Sequence, residues 1–147
     1  MVKNLVIVES PAKAKTVGRF LGDTYKVIAS VGHIRDLPKG FLGIDVKNNF
    51  SPLYEIAKDK RKIISEIKRE AKKAEYIFLA TDPDREGEAI AWHIVESAEL
   101  RTNSQLKRVV FHEITARAVK ESFDHPRKLD QDLIDSQQAR RLLDRLV

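Results

Sequence analysis

The sequence predicts an α/β fold with a central, mostly parallel sheet covered by helices on both faces. Three observations predict it. Short apolar, β-branched runs recur along the chain: "LVIVE", "YKVIASV", "YIFLA" and "LKRVVFH". Segments with helical apolar spacing separate them, as parallel strands require, because they cannot be joined by a tight turn. The chain has 147 residues, 42% of them hydrophobic, which fits one domain with a real core.

Taken in order, "LVIVE" (5–9) reads as a strand buried on both faces. In the following "SPAKAKTVGRFLG", Ser10 suits an N-cap and Pro11 a first helical residue. Ala14, Val17 and Leu21 form an apolar face, and Gly22 can end the helix. "YKVIASV" (25–31) reads as a second strand, and "GHIRDLPKGFLGID" as a Gly- and Pro-punctuated loop. "SPLYEIA" (51–57) suits a short edge strand. Residues 58–75 predict a helix with Ile63, Ile64, Ile67, Ala71 and Ala74 on one face and basic residues on the other. "YIFLA" (76–80) is a buried strand, and "PDREGEAIAWHIVESA" a helix with Ile90 and Ile94 inward. "LKRVVFH" (106–112) is a strand, and 115–123 and 133–147 are helices. In the last, Ala139, Leu142, Leu143 and Leu146 form an apolar stripe that runs to Val147 without a cap or polar tail. That pattern leads us to expect a sequence cut from something longer.

Composition narrows the function classes. The 27 Lys and Arg against 22 Asp and Glu leave a net charge of +5, which suits a polyanionic partner without demanding one. With no cysteine, disulfides and thiolate metal sites are excluded. No apolar run approaches the ~20 residues of a membrane span, and the N-terminal run is too short for a signal segment. A cytoplasmic protein is expected.

Two predicted strands deliver acids to the same sheet edge: Glu9 after "LVIV", and Asp82, Asp84 and Glu86 after "YIFLA". Ligands of α/β sheets collect beyond the carboxyl ends of strands. If both strands are central, four carboxylates converge there and repel one another unless a cation shares them. Oxygen ligands of this kind suit Mg²⁺ and phosphate chemistry. Part of the pattern has a simpler reading: Asp82 can cap the helix, with Pro83 its first residue and the other acids favoured by the helix dipole. That reading does not need three acids and leaves Glu9 unexplained.

The basic residues near this edge also have two readings. Lys13 and Lys15 lie in the first turns of a helix, where an anion is favoured, or are a solvated pair. His33 and Arg35 fall in the loop after the second strand and suit nucleotide contact. Arg140 with Asp144, and Arg141 with Arg145, lie one turn apart on a helix that either is simply solvated or binds backbone phosphates. His93, His112 and His125 lack ligand spacing and read as core or surface residues. There is no Walker A motif, zinc signature or Ser-His-Asp arrangement.

Together, "VIVESPAKAKTV", "SVGHIRDLP", "ATDPDREGEAIAWH", "VFHEIT" and "QQARRLLDRLV" resemble, in order, the N-terminal part of bacterial type IA DNA topoisomerase I. The resemblance covers nearly the whole chain. It implies a Toprim domain, Rossmann-like, over residues 1–125, followed at 126–147 by the start of a helical domain that holds single-stranded DNA. It implies that Glu9 works in proton transfer near the metal and that Asp82, Asp84 and Glu86 hold Mg²⁺. Lys13 would stabilise charge on the scissile phosphate, and His33, Arg140, Arg141 and Asp144 would contact DNA. The family relaxes negatively supercoiled DNA through a 5′-phosphotyrosine.

None of Tyr25, Tyr54 and Tyr76 matches the family's tyrosine context. The chain is therefore expected to be inactive without the remaining domains of a parent topoisomerase. Other Toprim proteins share the Glu and D-x-D logic: primases, OLD-type nucleases and recombination proteins. "SPAKAKT" and "QQARRLLDRLV" argue against them, and "SVGHIRDLP" fits topoisomerase I better than reverse gyrase or topoisomerase III. A free-standing module that binds nucleic acid without catalysis is a further alternative.

Overall fold

The structure is a computed structural model that describes residues 4–31, 35–36, 44–45, 51–52, 55–56, 58–100 and 105–146. Its centre is a parallel sheet of four strands: β1 (Asn4–Val8), β2 (Tyr25–Ala29), β7 (Tyr76–Leu79) and β8 (Leu106–Arg108). Their spatial order is β2-β1-β7-β8. The helices are α1 (Pro11–Leu21), α2 (Arg61–Lys73), α3 (Arg85–Ser97), α4 (Ala116–Phe123) and α5 (Gln131–Leu146). A 3₁₀ turn at Lys58–Lys60 leads into α2. Four two-residue strands lie between β2 and that turn: β3 (Arg35–Asp36), β4 (Ile44–Asp45), β5 (Ser51–Pro52) and β6 (Glu55–Ile56). β3 pairs with β6 and β4 with β5, both antiparallel. The segment expected to hold a loop and one edge strand therefore contains two small ladders.

Strand alternation sorts the core into two layers. Leu5 and Ile7 of β1 and Ile77 and Leu79 of β7 pack with Ile64, Ile67, Ile90 and Ile94 of α2 and α3. Val6, Val8 and Phe78 face the other way, onto Val17 of α1 and Val119 of α4. The apolar faces expected for α2 and α3 are the buried ones. The predicted caps of α1 also form: Ser10 Oγ accepts from Lys13 N, Pro11 opens the helix, and Gly22 ends it at φ 86°.

Two details differ from the sequence expectation. Asp84, not Asp82, is the N-cap of α3, and its side chain accepts from Gly87 N. The cause lies elsewhere in the chain: the Asp82 carbonyl, which would have opened the helical ladder, accepts from Arg108 Nη2 at 2.7 Å. The ladder begins two residues later, with Glu88 N donating to Asp84 O at 3.0 Å. In α5 the expected stripe faces the body only in part, with Leu142 half-buried. Ile134 is fully buried, whereas Ala139 and Leu143 are exposed. α5 packs against α3, and its inward side runs from Leu133 and Ile134 through Gln137 and Gln138 to Arg141 and Leu142. That choice is set by a tertiary surface and not by helical periodicity.

Candidate active site at the carboxyl edge

Strand order decides where this site forms. From β1 the chain proceeds to β2 on one side, and β7 pairs with β1 on the other. The gap between the carboxyl ends of β1 and β7 is therefore a topological switch point, where α/β sheets open a crevice for ligands. Glu9 directly follows β1, and Asp82 lies just beyond β7. Their side chains and backbone meet across the gap: Asp82 N donates to Glu9 Oε2 at 2.6 Å.

Lys13 joins the same group from the first turn of α1. Its Nζ lies 2.9 Å from Glu9 Oε1 and 3.1 Å from Asp82 Oδ1. The residue is only 7% exposed, so its stem is packed and its ammonium is delivered to the acids by burial. The same ammonium sits 5.0 Å from the centre of the Phe111 ring, a favourable cation–π distance. Lys13 thus balances two carboxylates. Lys15, which the sequence paired with it, is exposed.

The remaining acids are arranged differently. Asp84 spends its carboxylate on the Gly87 N–H at 2.7 Å, and Glu86 is exposed in the first turn of α3. Among the described residues no three carboxylates or imidazoles gather closely enough to cage a metal unaided. The donor set still fits a hard cation. Its members are oxygens, two of them already share a positive charge, and buried Glu9 Oε1 has Lys13 near it without an aligned hydrogen bond.

Backbone close to the acids is held tightly. A Cβ on Gly87 would come within 2.0 Å of the Asp82 carbonyl oxygen, so only glycine lets α3 approach the loop this closely. Thr81 Oγ1 donates to Gly87 O at 2.6 Å from a buried position. Val31, just beyond β2, has φ 57°, a strained value for a β-branched residue, and its carbonyl accepts from Lys60 Nζ at 2.8 Å.

Behind the loop lies a charged cluster that the sequence reading missed. Arg108, 1% exposed, donates from Nη1 to the carbonyls of Leu79, Thr81 and Val109, and from Nη2 to that of Asp82. Its Nε meets Glu88 Oε1 at 2.9 Å. Glu88, fully buried, also accepts from Arg127 Nη2 at 2.8 Å, Arg127 Nη1 at 3.1 Å and Asp130 N at 2.7 Å. Burial alone would raise the Glu88 pKa, but Arg127, the Asp130 N–H and Arg108 outweigh it and hold the carboxyl below its ordinary value. Burial lowers the Arg108 pKa, opposed by the Glu88 charge. One signal was available: Glu88 shares a helical face with Ala91, Val95 and Ala98, all buried, and a lone acid in such a stripe needs a buried cation.

The other sequence candidates belong to other parts of the chain. His33 falls outside the described residues, as does Tyr54. Arg140 and Asp144 are exposed on α5, and Arg141 is half-buried there. His93 is buried, and His112 and His125 are exposed.

The Toprim domain model matches residues 4–114, and the chain belongs to that family. The chain is also similar to full-length topoisomerase I from Thermotoga maritima, with 46% identity and a TM-score of 0.89 over 97% of its residues. It spans 24% of the length of that protein.

Proposed function

We propose that this chain is the Toprim part of a bacterial type IA DNA topoisomerase, which breaks and rejoins one strand to relax negatively supercoiled DNA. The observation that carries the reading is the meeting of Glu9, Lys13 and Asp82 at the switch point of a Toprim sheet. The 46% identity to a topoisomerase I across nearly the whole chain supports it.

In this reading Glu9 holds or moves a proton at its carboxylate beside the scissile phosphate. Lys13 offsets negative charge there, from a side chain already committed to the site by burial. Glu9, Asp82, Asp84 and Glu86 would hold Mg²⁺, which when bound supplies further positive charge to the phosphate. His33, Arg140, Arg141 and Asp144 would grip the single strand, with residues 126–147 opening a helical DNA-holding domain after a Toprim domain at 1–125. The setting would be the cytoplasm, on the chromosome; no helix among the described residues is long and apolar enough to cross a membrane.

The nucleophile would come from elsewhere in the parent protein. Tyr25 and Tyr76 begin β2 and β7, in register with Asn4 at the opposite end of the sheet from the acids. At about 3.3 Å per residue, four strand residues put roughly 13 Å between the ends. Tyr25 is also packed against Phe78 and Phe123. The purified chain should therefore leave supercoiled plasmid unrelaxed in Mg²⁺, while binding a single-stranded oligonucleotide weakly and less well as salt rises. Clear Mg²⁺-dependent relaxation by this chain alone would contradict the reading.

A further inference from the structure

We propose that Glu88 is a positioning residue that couples the start of α5 to the backbone carrying Asp82. The proposal rests on the reading of Glu9 and Asp82 as the working edge, and uses the buried cluster behind it.

The connection can be followed bond by bond. Asp130 caps α5: its carboxylate accepts from Leu133 N at 3.2 Å, and its carbonyl from Ile134 N at 3.2 Å. The Asp130 N–H is held by Glu88 Oε2. Arg127, three residues earlier, grips both oxygens of Glu88. On its other side Glu88 orients Arg108, whose guanidinium fixes the carbonyls of Leu79, Thr81 and Asp82. The Asp82 peptide held in this way is next to the N–H that donates to Glu9. A rotation of α5 on α3 must move Arg127 and Asp130 and so pull on Glu88. A fully buried carboxylate cannot give up these partners to water, so the strain passes to Arg108 and the acid loop. A helix proposed to carry the DNA-gripping arginines is thereby linked to the acids that would work on the phosphate.

Arg127 is the residue to test. Its side-chain bonds go to Glu88 and the Lys128 carbonyl, and its backbone pairs with that of Arg108. Arg127→Gln should leave the fold intact yet shift the amide resonances of Asp82 and Gly87 and weaken apparent Mg²⁺ affinity about threefold. Arg127→Lys should restore part of both effects. Glu88→Gln should produce larger changes in the same signals; if it does not fold, Arg127→Gln decides alone. Shifts confined to residues 124–134, with Mg²⁺ affinity unchanged, would overturn the proposal. If the unaltered chain binds no Mg²⁺, the metal assignment fails, and the Asp82 and Gly87 resonances still decide the coupling: movement supports it and no movement overturns it.

Discussion

At the residue scale, a lysine ammonium shared by two carboxylates occupies the role that a small cation would fill. Lys13→Met removes that charge and leaves Glu9 and Asp82 to repel each other. The variant should melt earlier in chelator, regain more stability from added Mg²⁺, and bind Mg²⁺ about tenfold tighter, a gain of about 1.4 kcal/mol. Thermal melts with and without Mg²⁺ check this; equal metal responses in both proteins would contradict it. Gly87→Ala pushes a methyl into the Asp82 carbonyl and should cost about 1–3 kcal/mol, read by urea unfolding. The pairing of Glu9 with Asp82 was legible in sequence because each directly follows an apolar run. The need for glycine at 87 was not, because its neighbour is a backbone oxygen whose position depends on Arg108.

At the element scale, the start of α3 has a capping role and a proposed metal-binding role that substitutions can separate. Asp84→Ala should lose about 1 kcal/mol of stability with the cap. Asp84→Ser keeps a capping oxygen without a carboxylate, so it should unfold like the parent chain and bind Mg²⁺ less well. Equal Mg²⁺ affinity in Asp84→Ser would assign Asp84 to capping alone. Glu88 predicts an acid response. Its folded pKa lies below the ordinary 4.5, so its stabilisation is present above that value and is lost as pH falls through the folded one. The parent chain should lose melting temperature on acidification more steeply than Glu88→Gln, which starts less stable because it leaves Arg108 and Arg127 facing a neutral group. Parallel curves would remove Glu88 from the explanation. Helices α1 to α3 were readable from period and caps, but the shift of the α3 cap from Asp82 to Asp84 was not. It arises from a side chain 26 residues away.

At the scale of the whole molecule, alternating strands and helices gave the α/β class, while the order β2-β1-β7-β8, which puts β1 beside β7, is a matter of three-dimensional pairing. That pairing turns two separate acids into one edge. The apolar stripe of α5 was only partly right for a related reason: Leu142 is half-buried, but Ala139 and Leu143 are exposed and the most buried residue of the helix is Ile134. The buried Glu88 cluster was hidden because Glu88, Arg108 and Arg127 belong to three elements far apart in sequence. The central claim is that the β1–β7 edge is a divalent-metal and phosphate site. Carbon-detected NMR of the side-chain carboxylates during an Mg²⁺ titration tests it most directly. Saturable shifts at Glu9 and Asp82 in the millimolar range, lost in Asp82→Asn, are the predicted result. Carboxylates of Glu9 and Asp82 that stay fixed throughout the titration would contradict the account.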